Sequence, residues 1–463
     1  MGRAYKSWLV AASAALVLAG CATVVYNEPV NVPLSGHGLA ERIGINFQDA
    51  DVAESAVVGL AFSGGGTRAA AFSFGVLDEM ERTPVRGASA PMIERLEFIS
   101  GVSGGSVTAA YYGLRKRDGL RDFRERFLLR NAEENLTTTV SLATLSRALG
   151  GGVNDSTGLT RWLDANLFNG ATFEEFRRIG RPRVWINASD IYNRTPFIFS
   201  AETFNAMCSD LGSYPLATAV AASAAVPIAF APVVIKTYPG ECNKSLPSWV
   251  TRSRDRDAPP MLRSFAEALS RYHDGGIPYV KLLDGGLVDN YGLSGFTIAR
   301  LSSDTPYGPM SPRQAVKMRR ALFLVVDSKK GLEGDWIRTV QGPTGVELVQ
   351  AAADTAIDAS VGASFVAFEK TISDWQGALT RWRCGLSAAE RARYGAPANW
   401  NCRDIKFFVG RLGFDQLENG RAASLEKVPT RFNLPADQVD MVIEAGRDVF
   451  RASPVVKAFA ASL

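Results

Sequence analysis

Gly101-Val102-Ser103-Gly104-Gly105 is the one G-x-S-x-G of the chain, and it stands between an apolar run and a helix-forming run. A serine at the centre of that spacing can serve as a nucleophile. On a sharp strand-to-helix turn two backbones nearly touch, so small neighbours are needed on both sides, here Gly101 and Gly105. The helix that follows aims its free N–H groups and the positive end of its dipole at the hydroxyl, favouring an anionic intermediate. A second loop can receive that anion. Gly64-Gly65-Gly66-Thr67-Arg68 follows another apolar run, and successive glycines at a helix N-terminus turn N–H groups outward as an anion cradle. Such a cradle suits an oxyanion hole. It also suits a dinucleotide, since Gly64, Gly66 and Ala69 read as G-x-G-x-x-A. The dinucleotide pattern wants an acidic residue ending a second strand about 20 residues on, and neither Glu81 nor Glu94 ends one. An oxyanion hole, with Arg68 as a positive charge beside it, is the expectation, and no nucleotide.

The nucleophile needs a base. The chain has two histidines, His37 before the first apolar run and His273 in a loop, and neither follows a core strand as the histidine of a Ser-His-Asp triad does. A carboxylate is the better candidate. Asp274 and Asp284 each precede two glycines, but Asp274 follows no apolar run and reads as an ordinary Asp-Gly turn. Asp284-Gly285-Gly286 ends the apolar Tyr279–Leu283, and the C-terminal ends of parallel strands are where sites gather. An aspartate is a weak base at its ordinary pKa, so burial should raise it toward working pH.

Elements that position these residues follow from the apolar pattern. With 463 residues, 46% hydrophobic and 21% charged, the chain has material for a large α/β core. Ala56–Ser63, Leu96–Ser100, Val184–Ala188, Tyr279–Leu283, Ala321–Val326 and Ile405–Val409 read as strands, several followed by helical patterns. That alternation predicts a mainly parallel sheet in a three-layer α/β sandwich. Helices are expected from Thr67 to Met80, from the serine turn through Tyr111, over most of Gly342–Arg393 and over Leu434–Phe450. Ser253–Ser270, charged and containing prolines, reads as a surface excursion. A net charge of +4 without a basic stripe gives no warrant for nucleic-acid binding.

The N-terminus reads as an export signal. Arg3 and Lys6 precede the short apolar run Trp8–Leu18, too short to cross a bilayer. Leu18-Ala19-Gly20-Cys21 resembles the lipobox of bacterial lipoproteins, which implies cleavage after residue 20 and acylation of Cys21. Ala22, in place of an inner-membrane-retaining aspartate, implies an outer-membrane anchor facing the periplasm. Residues 21–55, with Pro29, Pro33 and several glycines, are expected to be a lipidated tether. Residues 56–463 would be the catalytic domain, with core motifs over 56–327 and a helical part over 336–463. Cys208, Cys242, Cys384 and Cys402 suit an oxidising compartment; Cys208–Cys242 with Cys384–Cys402 is the sequence-local pairing among three connectivities. With so few histidines and no CxxC, no metal is expected.

Taken in order, these motifs resemble the patatin-like phospholipase family. The glycine loop with its basic residue, G-x-S-x-G and D-G-G are joined by Ala222-Ser223-Ala224-Ala225-Val226-Pro227 with Phe230 and Pro232, similar to the family's A-S-x-x-x-P block, and by Asp289-Asn290. The resemblance implies a patatin-like fold and a dyad of Ser103 and Asp284. It also implies an oxyanion hole at Gly64, Gly65, Gly66 and Arg68, and hydrolysis of lipid esters without cofactor. Ala69 stands where the family loop often has glycine, a change that a helix start tolerates. Membrane lipids would be both substrate and anchor. The same acyl-enzyme could pass its acyl group to another acceptor, as an acyltransferase or thioesterase. The rival of another class is a catalytically silent anchored lipoprotein.

Overall fold

The computed structural model describes residues 25–35, 55–85, 89–134, 136–137, 147–148, 150–243, 245–332, 334–418 and 420–463. Cys21 and His37 lie outside them. Eight strands form one sheet: β1 (Ala56–Phe62), β2 (Leu96–Val102), β3 (Arg183–Asp190), β4 (Thr195–Ile198), β5 (Val233–Lys236), β6 (Tyr279–Asp284), β7 (Arg320–Asp327) and β8 (Lys406–Gly413). Their order is β5-β6-β3-β2-β1-β7-β8, with β4 paired to β3. From β3 to β8 the neighbours are parallel, and β1, β2 and β7 are buried almost throughout, as continuous apolar runs require of a sheet covered on both faces. The fold is the expected mainly parallel α/β type. β4 and β5, four residues each, were too short to signal in the sequence.

Six helices matter to the site: α1 (Gly66–Arg82), α2 (Gly104–Phe123, broken at Lys116), α3 (Leu216–Ser223), α4 (Gly286–Asp289), α5 (Gly345–Gly385) and α6 (Ala436–Ala452). α6 crosses α1 where two glycines meet. A Cβ on Gly75 would fall 2.1 Å from the Ile443 carbonyl oxygen, and one on Gly446 2.4 Å from that of Phe72. That close crossing brings the segment just before α6 over the start of α1.

Ser253–Ser270 is no mere excursion. Pro260–His273 is a helix that buries Leu262, Phe265, Leu269 and Tyr272, an i, i+3, i+7, i+10 stripe that the Arg- and Asp-rich entry to it obscured. The tether expectation is also corrected over residues 25–35, the rest of it up to residue 54 lying outside the described residues. Asn27 donates to the Ala231 and Pro232 carbonyls at 3.0 Å each, and its oxygen accepts from the Ser156 N–H and hydroxyl. Asn31 exchanges bonds with both the N–H (2.9 Å) and the carbonyl (2.7 Å) of Lys236, as a partner strand would, and so covers the β5 edge. Residues 25–35 are docked, not loose. Cys208 is bridged to Cys242 and Cys384 to Cys402, with Cα atoms 5.4 and 4.9 Å apart.

Candidate active site

Ser103 sits between β2 and α2 with φ 50° and ψ −123°, a conformation that costs a non-glycine residue about 1–3 kcal/mol. Its surroundings hold it there. Its N–H donates to the Ser223 hydroxyl at 2.8 Å, and that hydroxyl donates to the Asn187 carbonyl at 2.6 Å. The glycines on either side are steric necessities. A Cβ on Gly101 would lie 2.6 Å from Ser106 Cα, and one on Gly105 2.5 Å from the Ser63 carbonyl oxygen.

Register brings the carboxylate to the serine. The parallel ladder of β2 and β3 ends with Val102 opposite Asn187, and the next residue of β3, Ala188, pairs with Asp284. Ser103 and Asp284 therefore reach the same level of the sheet from opposite directions. Asp284 ends a strand antiparallel to β3, whereas the sequence suggested a parallel one. The Ser103 hydroxyl lies near enough to its carboxylate to favour the charged form. Burial pushes Asp284 up to about 6, against the pull of the Gly286 N–H, which donates to Oδ1 at 2.8 Å, and of the Ser103 hydroxyl. Gly285 is required by space, since a Cβ there would fall 2.4 Å from the Asn187 carbonyl oxygen.

The A-S-x-x-x-P block locks both halves together. Besides the bond from Ser103 to Ser223, the Asp284 N–H donates to the Ala225 carbonyl (2.8 Å) and the Gly285 N–H to the Ser223 carbonyl (3.2 Å). The sequence marked this block but offered no role for Ser223, because its partners are 36 to 120 residues away.

The glycine loop lies against the serine turn. A Cβ on Gly104 would fall 1.9 Å from the Gly66 carbonyl oxygen. Gly65 and Gly66 have φ 140° and 58°, values that favour glycine. The N–H groups divide into two sets. That of Gly64 is taken by Asn290, whose Oδ1 and carbonyl oxygen both lie at 3.2 Å, and that of Thr67 donates to the Arg431 carbonyl at 2.8 Å. No described residue accepts from Gly65, Gly66 or Gly104, so these three amides are the candidates to receive an anion, where Gly64 was also expected. Arg68 is buried, and its guanidinium donates to the carbonyls of Ser328 (3.0 Å) and Val428. It anchors the loop to the end of β7 and to the segment before α6. The contact of Val428–Arg431 with the loop had no signal in the sequence, which shows only a turn-rich stretch there.

Among the described residues, His273 has no hydrogen bond to Ser103 or Asp284, and its buried Nδ1 is unpartnered. A cavity of about 40 Å³ lined by Val57, Phe98, Phe323 and Trp375 opens at the opposite ends of the strands and is separate from Ser103. No described helix is long and apolar enough to cross a membrane.

A serine on a strained turn, a carboxylate within reach of its hydroxyl and open amides beside it are what acyl transfer to serine requires. The family model of patatin-like phospholipases matches residues 60–297, just over half of the chain, and the chain belongs to that family. Among solved structures it is similar to human GIVD cytosolic phospholipase A2, at 12% identity and TM-score 0.41, covering 89% of this chain and 61% of that one. It is also similar to VipD from Legionella pneumophila, at 13% identity and TM-score 0.32, covering 96% of this chain and 72% of that one. The chain thus spans 61% of the human enzyme's length, and at such identities neither likeness speaks to substrate. No curated protein sequence matches the chain.

Proposed function

We propose that this protein is a serine lipid acyl hydrolase of the phospholipase A or lysophospholipase type, working through Ser103 and Asp284. The observation that carries the reading is the shared register of the two residues, which brings the serine beside a carboxylate that burial makes more basic. Asp284 takes the hydroxyl proton as Ser103 Oγ bonds to the ester carbonyl carbon. The negative charge on the carbonyl oxygen meets the Gly65, Gly66 and Gly104 amides. Collapse of the intermediate breaks the bond to the leaving alcohol, which receives the proton from Asp284. Water then attacks the acyl-serine with Asp284 again as base, releasing the fatty acid and restoring the serine. The family supports a lipid ester as the substrate. The lipobox supports Cys21 as an acylated anchor in the outer membrane, facing the periplasm.

The test is covalent labelling by a fluorophosphonate probe together with fatty-acid release from mixed phospholipids. Wild type should label and release; folded Ser103→Ala should do neither. Release by wild type with no labelling at Ser103, or no turnover of any ester, would overturn the proposal. Incorporation of labelled palmitate that vanishes in Cys21→Ala tests the anchor.

A further inference from the structure

The docked N-terminal segment and the catalytic end of the sheet lie together. Lys236, to which Asn31 is bonded, pairs with Tyr279, and Tyr279 stands five residues before Asp284 on β6. Asn27, nearer the chain's start, is bonded to Ala231 and Pro232 just before β5, whose first residue Val233 pairs with Leu282, two residues before Asp284, so the chain leaves the domain about level with the site. Cys21 is four positions ahead of Val25, and four residues reach at most about 14 Å. A tether of the length the sequence suggested would let the domain turn freely. One of four residues keeps the docked segment within that distance of the anchor.

Exposed apolar side chains gather at the same end. Val30 and Val32 lie on the docked segment, and Tyr192 follows β3. Across the site, Leu332, Ile337 and Val340 follow β7 and lead into the start of α5. The first turns of α5 project about 20 Å beyond the pair of Lys329 and Asp358 that ties the helix to the site. Apolar side chains rimming a site mark an interaction surface. Lys281 stands over the exposed ring of Tyr279, and an aromatic body with a cation beside it suits a headgroup layer.

We infer that the catalytic end of the sheet docks on the same bilayer that holds the Cys21 anchor, so that the enzyme takes its phospholipid from its own anchoring membrane. The inference rests on the lipidated acyl-hydrolase reading above. The occupant of the apolar rim is a lipid surface because the chain leaves the domain there, four residues from its anchor.

The test uses full-length protein carrying its N-terminal lipid, reconstituted in phosphatidylethanolamine and phosphatidylglycerol vesicles. Bimane attached at Val340→Cys should be quenched by brominated phospholipid, and bimane at Ala392→Cys, an exposed site before β8, should not. Labelled phospholipid in the anchoring vesicles should be hydrolysed at least about tenfold faster than in bystander vesicles, through effective concentration. Leu332→Ser with Ile337→Ser should reduce both contrasts while leaving hydrolysis of a soluble short-chain ester unchanged. Equal quenching at the two sites, equal hydrolysis of the two vesicle populations, Cys21 without lipid, or a dimer held by the rim would each overturn the inference. Loss of all ester hydrolysis with the quenching contrast intact would instead overturn the proposed function alone.

Discussion

Along the N-terminal halves of β2, β7 and β8 the sheet is covered by aromatic rings: Phe98 lies 3.9 Å from Phe296 between ring centroids, Phe296 5.3 Å from Phe323, and Trp375 5.0 Å from Phe407. At the C-terminal ends of β1 and β2 closure is by glycine, and backbone meets backbone at Gly66 and Gly104. The aromatic end gains stability from buried area. The glycine end gives up side-chain packing, holds Ser103 in a strained conformation and buries a carboxylate with a raised pKa. Substitutions at the two ends should therefore fail in different ways, one through folding and the other through chemistry.

The largest contrast is at Ser103. Ser103→Ala should lower ester turnover by about 10⁴-fold or more while leaving the melting temperature unchanged. Ser103→Gly should be equally inactive and more stable, by on the order of 1 kcal/mol, as the strain is relieved; a less stable glycine variant would contradict the strain assignment.

Asp284→Asn comes next, with a fall in turnover of about 10³-fold or more. Its stability should move the other way. The carboxyl is held at about 6 in the folded chain, above the ordinary aspartate value, so the wild type loses stability as pH rises from about 4 through about 6. Asparagine carries no such loss, and chemical denaturation at pH 8 should find the variant more stable by about 1–3 kcal/mol. Equal stabilities at pH 8 and pH 4 would show that the carboxylate is not desolvated.

Phe98→Ala tests the other end. It should cost about 3–5 kcal/mol in denaturant unfolding, with turnover per folded molecule unchanged. The smallest effect is expected at Asn290→Ala, which removes the side-chain acceptor of the Gly64 N–H and leaves the Asn290 main-chain carbonyl. With the side-chain bond gone the loop should lose a few-fold in kcat, in line with a lost positioning bond of about 1 kcal/mol or less. An unchanged kcat would show that the Asn290 side chain does not hold the hole in place.

What could be read from the sequence was local. The serine turn, the glycine loop and the D-G-G turn each carry their geometry within five residues, because a close backbone approach admits only glycine. The parallel strands announced themselves as continuous apolar runs. What stayed hidden depends on contacts distant in sequence. Ser223 reaches Ser103 across 120 residues, Asn290 reaches Gly64 across 226, and Val428 reaches Arg68 across 360. Arg68 shows the difference most clearly. Its charge suggested a role toward the anion, and only the fold reveals two backbone carbonyls as its partners. Asn27 and Asn31 likewise gave no hint of docking, since an asparagine in a proline-containing stretch is equally at home in a loose linker.

The central claim is that a buried aspartate replaces histidine as the base of Ser103. Its most direct test is the pH dependence of kcat/KM on a soluble short-chain ester, for wild type and Asp284→Asn. The wild-type value should rise with pH to a plateau with a midpoint near the folded-state value of about 6, and the variant should be low at every pH without that step. An Asp284→Asn enzyme that keeps the wild-type rate and the same profile would contradict the account.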